Sequence, residues 1–444
     1  MIYRVPSDTV MTPELLFKLI QKHKKYVALN SRPLHNAYKN KYEIFRLPPK
    51  PPYKPDNRIA VNYAKYITDT FNGFFIGIPV KVTSDNEAVT EYIDLLNKQN
   101  DVDNNNAEIS KLADISGSAY EMYYNKEDGE TGITYLSDLE AFMVVDDSIL
   151  ERPLYFVRYY LDANKEEWGS FSDNRAVWHF HKVNGSYRIE DDEHLHGFGY
   201  VPAVEYLSNE ERMGLFESAM PAINAYNKAL SEKANDVDYF ADAYLKILGP
   251  RVDDEDTIHI RSSRIINFED YNGDNEHLPE VDFLAKPQND ESQEHLLERL
   301  QSDIFLTSMV ANISDENFGT SSGIALRYKL QAMSNLFVAK SRRFTSAMQE
   351  RYKIIFSSPI AQQHGVGKGD WESIDIKFTA NYPANIESEA DVAKSLEGIV
   401  SKETQLKTLS VVDSVADELD RIAEEQLPSV VDNIYGNTTT EAIQ

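Results

Sequence analysis

The stretch from Ser321 to Ile355 predicts a single long amphipathic helix, which needs a large apolar surface to pack against. Its apolar residues recur at helical spacing, at Leu326, Leu330, Met333, Phe337, Phe344 and Met348. The same stretch is rich in cations, namely Arg327, Lys329, Lys340, Arg342, Arg343, Arg351 and Lys353, with Glu350 as its one acidic residue. These cations either contact a polyanion or pair with acids of a neighbouring helix or subunit. On the preceding predicted helix, the candidate partners are Glu294, Glu298 and Asp303.

The chain as a whole is strongly acidic, with a formal net charge of −27 over 444 residues. Affinity for nucleic acid comes mainly from Lys and Arg on phosphates, so this composition argues against sequestering DNA but is compatible with letting it pass. Cysteine is absent, which excludes disulfides, thiolate nucleophiles and cysteine-ligated metals. No apolar run is long enough to span a membrane, and the first residues lack the apolar core of a signal peptide. We therefore expect no membrane partner.

Up to Leu207 the sequence predicts helices followed by a β meander. The predicted helices are Thr12–Leu29, Asn57–Phe75, Asn86–Lys98 and Ala107–Ser116. The proline-rich segment 47–55 must be extended, as either a stiff linker or a proline-rich docking ligand. From Ala119 to Leu207, short alternating apolar runs separated by turn residues predict antiparallel strands.

After Leu207 the sequence predicts mainly helices. Leu215–Leu248 has near-heptad apolar spacing, with Pro221 expected to kink or delay its start and Gly249-Pro250 to end it. Residues 251–285 are polar and strand-like, and Ser292–Met309 predicts a second helix antiparallel to the first. Further predictions are a loop at 311–322, a strand at Asp375–Thr379, and helices at Ile386–Ile399, Glu403–Leu409 and Val412–Gln426. The fold class is therefore α+β.

Motifs for catalysis or metal binding are weak. Two His-x-His pairs, His179/His181 and His194/His196, would each share one strand face near Asp191 and Asp192, as metal ligands or as ordinary strand histidines. The segment 101–108 begins like a calcium loop, but Asn106 and Leu112 stand where Gly and Glu are needed, so we predict a solvated loop. The glycines of 365–369 lack the spacing of a phosphate loop and predict a turn. We expect no enzyme and no cofactor.

Four segments, taken in order, resemble the portal (head–tail connector) proteins of long-tailed double-stranded DNA bacteriophages. They are PDNRIAVNYAKYITDTFNGFFIGIPVKV at 55–82, the segment GYVPAVEYLSNEERMGLFESAM and its continuation at 199–249, TSSGIALRYKLQAMSNLFVAKSRRFTSAMQERYKII at 320–355, and LEGIVSKETQLKTLSVVDSVADELDRIAEEQ at 396–426. Each segment alone is moderately specific, whereas their shared order is strong.

The resemblance implies a portal fold, whose parts can be assigned to segments of this sequence. In chain order the expected parts are a wing of helices and antiparallel meander (1–210), a stem helix (211–249), a small β clip (250–287), a second stem helix (288–310), a channel (tunnel) loop (311–322), a channel helix returning to the wing (323–385), a helical crown (386–432) and a disordered tail (433–444).

The same resemblance implies a homo-oligomeric ring, usually of twelve subunits, at one vertex of the capsid in the virion, assembled in the host bacterial cytoplasm. Double-stranded DNA would pass through it non-specifically during packaging and ejection. The implied partners are terminase, a head-completion or tail adaptor protein, and the major capsid and scaffolding proteins.

The resemblance also assigns roles to individual residues. Polar groups for the DNA-channel loop are Asn312, Ser314, Asn317, Thr320, Ser321 and Ser322, and the basic residues of the channel helix are Arg327 and Lys329. Contacts between subunits or with the wing are expected from Lys340, Arg342, Arg343 and Arg351, and clip contacts from Arg261, Arg264 and Asp270. The alternatives are a metal-dependent hydrolase using the His-x-His meander and a capsid-interior structural protein that forms no ring.

Overall fold

The computed structural model describes residues 2–52, 54–241, 245–248, 280–283, 290–313, 328–382, 386–409, 411–412 and 415–426. The chain forms two compact units. The first combines Met1–Asn312 with Ala332–Ala380, and the second combines Ile313–Gln331 with Asn381–Gln444. The predicted tail at 433–444 lies outside the described residues. In the described part of the chain, no helix has the length and apolar character of a membrane span.

Helices and two strand segments occupy the start of the first unit. They are β1 (Tyr3–Val5), α1 (Pro13–Tyr26), α2 (Arg32–Tyr38), α3 (Tyr63–Ile76), β2 (Lys81–Ser84), α4 (Glu87–Asn100) and α5 (Val102–Ser116). Thr12 caps α1 by accepting a hydrogen bond from the Leu15 N–H at 3.2 Å, and Pro13 occupies the first turn, where its missing N–H costs nothing. The helix predicted as Thr12–Leu29 is confirmed, but it ends at Tyr26 in a π-helical turn.

A six-stranded sheet and α1 enclose one apolar core of the first unit. The strands of the sheet are β1, β5 (Ala141–Asp146), β6 (Pro153–Leu161), β7 (Glu167–Ser172), β8 (Ala176–Val183) and β9 (Ser186–Leu195), in the order β1-β5-β6-β7-β8-β9. β1 is parallel to β5, and the others are antiparallel. Apolar residues of one face, including Phe142, Val157 and Phe180, pack with the buried side of α1.

The predicted meander is confirmed for β5, β6, β8 and β9 but is incomplete in two respects. First, β3 (Ser118–Asn125), β4 (Thr131–Ser137) and β10 (Ala203–Leu207) form a separate sheet in the order β10-β3-β4. Second, β1 and β7 were not predicted. β7 reads EWGSFS, in which Gly169 and two serines hide the alternation typical of a strand.

A helical pair follows the two sheets. α6 (Met220–Ala241) and α7 (Asp290–Ser308) run antiparallel, since Ser218, just before α6, bonds to the Thr307 carbonyl at 3.3 Å while Lys233 pairs with Glu294 farther along. Pro221 lies in the first turn of α6, where proline is tolerated, so it marks the start of the helix rather than a kink.

The helix predicted to run to Leu248 is too long. α6 ends at Ala241, and Leu245–Leu248 is instead strand β11, antiparallel to β12 (Glu280–Phe283). The register sets Leu245 opposite Phe283 and Ile247 opposite Val281. Apolar residues at every second position fit a strand pair better than a helix, and cross-strand pairing therefore overrides the heptad pattern.

An extended segment is fastened along α6 by a ladder of polar side chains. The N–H groups of Asn57, Ile59 and Val61 donate to Asn235 Oδ1 (2.6 Å), Ser231 Oγ (2.9 Å) and Asn227 Oδ1 (2.9 Å), respectively. Four helical residues rise about 6.0 Å and two extended residues about 6.6 Å, so the two repeats match. The helix predicted from Asn57 consequently begins only at Tyr63.

The remaining elements are α8 (Gln331–Phe356), α9 (Pro359–Gln363) and β13 (Ile374–Lys377) and, in the second unit, α10 (Ile386–Ser395), α11 (Lys402–Leu406) and α12 (Val415–Gln426). β13 pairs antiparallel with β2. Ser401 caps α11, and the Gln405 side chain donates to the Ala393 carbonyl at 2.6 Å, which joins α11 to α10. The helices and the strand predicted after residue 374 are all present in shorter form.

Candidate functional site: charged anchors on the long basic helix

The cations of α8 fall into buried and exposed groups. Lys340 and Arg351 are each only 1% exposed, whereas Arg342 and Arg343 lie at the surface. The buried pair lies eleven residues apart, which is close to three helical turns and puts both on one face. That face also carries the buried residues Phe344, Ala347 and Met348. Two charges therefore stand in the apolar stripe of the helix.

Lys340 is held by acceptors from α5. Its ammonium donates to Asp114 Oδ2 at 2.7 Å, to Ser110 Oγ at 2.7 Å and to the Ser110 carbonyl at 3.3 Å. The three donors of the ammonium thus have three acceptors. The Nζ atom also lies 4.4 Å from the ring centroid of Phe75, a favourable cation–π distance.

Asp114 is fully buried and completes this site. Its second oxygen accepts a hydrogen bond from Ser208 at 2.8 Å. Burial raises the pKa of Asp114 and lowers the pKa of Lys340, because desolvation penalises both charges, while each partner opposes the other's shift. Such a pair is costly to form, and removing either partner alone leaves a buried unpaired charge.

Arg351 is held by β3. Its Nε donates to Glu121 Oε2 at 2.7 Å, its Nη2 to Glu121 Oε1 at 2.8 Å, and the same Nη2 to Asn106 Oδ1 at 2.6 Å. The two-pronged pairing fixes both position and orientation. Desolvation would lower the pKa of Arg351, but the nearby Glu121 outweighs it, so the pKa is raised and the guanidinium stays charged.

Glu121 collects further donors from the three-stranded sheet. The hydroxyls of Tyr123 (2.7 Å) and Tyr206 (3.2 Å) both donate to Glu121 Oε2. Burial raises the pKa of both phenols, so they stay protonated and able to donate. A charged Arg351–Glu121 pair is therefore surrounded by groups that satisfy the carboxylate.

A tight turn sets the spacing between the two acids. Gly117 lies between Asp114 at the end of α5 and Glu121 on β3, with a φ of 90°. A Cβ at this position would stand 2.2 Å from the Arg212 carbonyl group, so only glycine fits. The turn brings two acids of adjacent elements to the two cations of α8.

The segment predicted as a solvated loop is part of this site, and that prediction is wrong. Residues Val102–Ser116 form α5, and Asn105 and Asn106 are buried. Asn106 is the residue that replaces the glycine of a calcium loop, and its oxygen accepts from Arg351. Asp101 lies between the two helices, and its left-handed backbone ends α4 and lets α5 start directly at Val102.

The acids suggested as partners on the preceding helix bind elsewhere. Glu294 pairs with Lys233, Glu298 with His295 at 3.5 Å, and Asp303 with Arg299 at 3.2 Å. The acids that anchor α8 were missed, although Glu121 stands out as a lone acid within the aromatic strand sequence AYEMYY. An acid at a core position of a strand is the signal that could have found it.

The exposed cations are placed differently. Arg343 pairs with Glu210, whereas the Arg342 guanidinium has no ion pair within the described part of the chain. Lys329 is exposed, and Asn312 is half-buried after α7. The other residues singled out by the resemblance lie outside the described residues: Ser314, Asn317, Thr320, Ser321, Ser322, Arg327, Arg261, Arg264 and Asp270.

The histidine pairs occupy unlike environments. His179 and His194 face each other with ring centroids 5.4 Å apart, and His181 lies against Trp168. His196 is buried, with its Nε2 3.0 Å from the Asp173 carbonyl and its Nδ1 accepting from the Phe198 N–H at 3.1 Å. Across the described ranges, no group of three or more potential ligands could hold a metal ion. Residues 365–369 form turns.

Comparisons with known proteins cover most of the chain. The family model "Phage portal protein, SPP1 Gp6-like" matches residues 18–427. The portal protein of Bacillus phage SPP1 is 24% identical over 397 residues, covering 84% of this chain and 76% of that protein. The portal protein of Clostridium phage phiCD119 is 24% identical over 414 residues, covering 86% and 88%.

One similar solved structure is described as "Neck of empty GTA particle computed with C6 symmetry". It has a TM-score of 0.45 and 12% identity, and the match covers 77% of this chain and 88% of the other. The family model, by contrast, spans nearly the whole sequence, including both buried ion pairs and the elements that carry them. This chain therefore belongs to the SPP1 Gp6-like family of phage portal proteins.

Proposed function

We propose that this protein forms a ring at one capsid vertex and that double-stranded DNA passes through the centre of the ring. The observation that carries the proposal is the family match over residues 18–427. The ring is proposed to contain twelve subunits and to bind terminase during packaging and a head-completion or tail adaptor afterwards. The major capsid and scaffolding proteins would surround it in the assembling head.

The negative charge of the chain suits a protein that lets DNA pass through better than one that binds DNA tightly. A net charge of −27 keeps phosphates away from most of the surface, and a few exposed cations are enough to centre a duplex by screened attraction. We assign DNA contact to the segment 311–322 and to Arg327 and Lys329. Short polar groups in such a segment can touch a passing backbone without reading its sequence.

We also propose a mechanical role for the two buried ion pairs, which is to resist movement of α8. The segment 311–322 joins α7 to the stretch that becomes α8, so a force on that segment is transmitted to α8. Lys340 and Arg351 fasten α8 to α5 and β3 through charged hydrogen bonds that resist sliding. In this proposal the two pairs hold the channel segment in place while DNA moves.

Ring formation can be tested on the purified protein. We expect analytical ultracentrifugation under capsid-assembly conditions to give a mass of many subunits and negative-stain images to show annular particles. A monomer or dimer under those conditions would overturn the ring and favour a capsid-interior protein that forms none.

The channel role is tested separately by deleting Asn317–Thr320. We expect rings of unchanged size but reduced DNA packaging or retention in phage that carry the deletion. Loss of the ring itself would assign this segment to assembly, and full packaging would remove the case for DNA contact there. Point substitutions of Arg327 and Lys329 by Gln provide a milder version of the same test.

A further inference from the structure

A cleft opens between the six-stranded sheet and the three-stranded sheet β10-β3-β4 of the first unit. Its volume is about 530 Å³, within the usual range of small-molecule sites. β3 and β4 contribute apolar and aromatic residues on one side, including Met122 and Tyr124. β6, β7, β8 and β9 contribute polar residues on the other. The cleft adjoins the buried Arg351–Glu121 pair through Tyr123, which lines the cleft and whose hydroxyl donates to Glu121.

The strand register gathers the polar side chains into a row. Arg158 on β6 stands opposite Ser170 on β7, and Ser170 stands opposite His179 on β8. His194 on β9 completes the row, with its ring centroid 5.4 Å from that of His179. Adjacent positions such as Val157 and Phe180 pack in the core on the opposite face of the sheet, as strand alternation requires.

Within the described residues, the Arg158 and histidine donors of this row have no hydrogen-bond acceptor, although the Arg158 guanidinium lies 5.3 Å from the centroid of the Tyr160 ring. Arg158 Nε is buried without a hydrogen-bond partner, and within the described residues the guanidinium forms no ion pair. In that same part of the chain, neither His179 nor His194 makes a hydrogen bond. His196, in contrast, has both ring nitrogens occupied. A buried donor without an acceptor destabilises the folded protein. The half-buried guanidinium would therefore gain from an acceptor that the described part of the chain does not supply.

The local electrostatics favour an anion. No Asp or Glu is among the described residues that line the cleft, although the chain contains 72 acidic residues. Burial lowers the pKa of His179, and the nearby His194 and Arg158 lower it further, whereas Glu190 on β9 opposes them. An anion placed between these groups would relieve their mutual repulsion.

We propose that this cleft binds a phosphate group, held by the Arg158 guanidinium, the imidazoles of His179 and His194, and the hydroxyls of Ser170 and Ser172. The number and fork geometry of these donors match a dianionic oxyanion better than a single carboxylate. The apolar side of the cleft leaves room for the rest of a phosphorylated ligand. Inorganic phosphate and a nucleoside monophosphate are the two sources of this chemistry.

Calorimetric titration of the purified full-length protein tests the proposal. We expect inorganic phosphate and dAMP to bind, while adenosine and acetate bind at least about 10-fold more weakly. Tighter binding of dAMP than of phosphate would identify a nucleotide, and equal binding would identify the free ion.

Matched variants localise the site. Arg158→Gln should weaken phosphate binding about 10-fold or more, whereas Arg175→Gln should leave it unchanged because Arg175 pairs with Glu193 outside the cleft. His194→Gln alters an exposed residue and leaves the core intact, so it should weaken binding in a folded protein. The proposal fails if phosphate does not bind, if acetate or adenosine binds equally well, or if His194→Gln and Arg158→Gln bind phosphate like the unaltered protein.

Discussion

At the scale of single residues, the buried pairs Lys340–Asp114 and Arg351–Glu121 explain why a basic helix occurs in an acidic protein. Both cations lie on the buried face of α8, where apolar residues are expected, and each is matched by a buried acid. Apolar side chains of similar volume could pack there at equal or better stability. Charged hydrogen bonds instead fix the register of α8 against α5 and β3.

Replacing Arg351 with Met tests this account. The change leaves Glu121 buried without its cation, so we expect the free energy of unfolding to fall by about 3–5 kcal/mol. Arg342→Met, at an exposed position, should change it by less than about 0.5 kcal/mol. Denaturant unfolding followed by circular dichroism gives both values.

A double variant provides the control for that prediction. Arg351→Met combined with Glu121→Gln removes both charges, so its loss of stability should be smaller than that of Arg351→Met alone. If the double variant is as unstable as the single, packing of the arginine rather than its charge accounts for the effect.

A second residue-scale prediction concerns His23 on α1. Burial lowers the pKa of His23 from 6.5 to about 4, and its Nδ1 lies 2.8 Å from the Tyr159 hydroxyl. Because the folded state disfavours the protonated ring, its stabilisation is complete above pH 6.5 and is lost as the pH falls toward 4. We expect this loss to reach about 1.4 kcal/mol between pH 7.5 and pH 5.5.

The measurement compares unfolding at the two pH values in the unaltered protein and in His23→Gln. The variant should lose about 1.4 kcal/mol less stability over this range. Identical pH dependence in the two proteins would show that His23 is not held neutral.

Sequence analysis identified the important residues of α8 but not their partners. The sequence showed that this helix is rich in cations and left salt bridges open as their role, but it did not separate Lys340 and Arg351 from Arg342 and Arg343. Asp114 and Glu121 lie more than two hundred residues earlier in the chain, and periodicity within an element carries no information about pairing at that distance. Only the packing of α8 on α5 and β3 brings the four residues together.

At the scale of elements, the proline-rich region shows what local patterns can and cannot predict. Its extended conformation follows directly from the fixed φ of proline. The attachment of the next residues, Asn57 to Val61, to α6 does not follow from local pattern, because the ladder uses Asn227, Ser231 and Asn235, which a search for apolar periodicity ignores. The boundary between α6 and β11 was missed for a related reason, since the partner strand β12 lies far along the chain.

The ladder predicts a specific pattern of amide exchange. Ser231→Ala removes the acceptor of the part-buried Ile59 N–H, so we expect hydrogen exchange at Ile59 to accelerate by up to about 10-fold, in line with about 0.5–1.5 kcal/mol for a typical hydrogen bond. The neighbouring steps at Asn57 and Val61 should change less. Lys228→Ala, at an exposed position of α6, should leave all three amides protected, and uniform fast exchange in the unaltered protein would show that the segment is not fastened.

At the scale of the whole molecule, the fold class and most of the elements could be predicted, but the division into sheets could not. The sequence predicts strands from 119 to 207 as one meander, whereas the chain builds two sheets and recruits Tyr3–Val5 as an edge strand of the larger one. A three-residue strand is too short to show alternation, and only its pairing with β5 defines it. Family membership rests instead on similarity spread over residues 18–427.

The net charge of −27 makes a final prediction about assembly. Identical acidic subunits repel one another, and the Debye length shrinks from about 30 Å at 0.01 M salt to about 8 Å at 0.15 M. We therefore expect the proportion of protein in rings, measured by analytical ultracentrifugation, to rise over this range of salt. Rings that dissociate as salt increases would instead show that attraction between opposite charges dominates the subunit contacts.

Arg342 separates the two contributions to assembly. If its guanidinium binds a neighbouring subunit, Arg342→Gln should reduce the proportion of rings at low salt more than Lys353→Gln, which removes the same charge from a lysine that pairs with Glu350 on its own helix. Equal effects would mean that only net charge matters. A larger effect for Arg342→Gln would place this exposed face of α8 at the interface, because a symmetric ring repeats the same substitution at every subunit boundary.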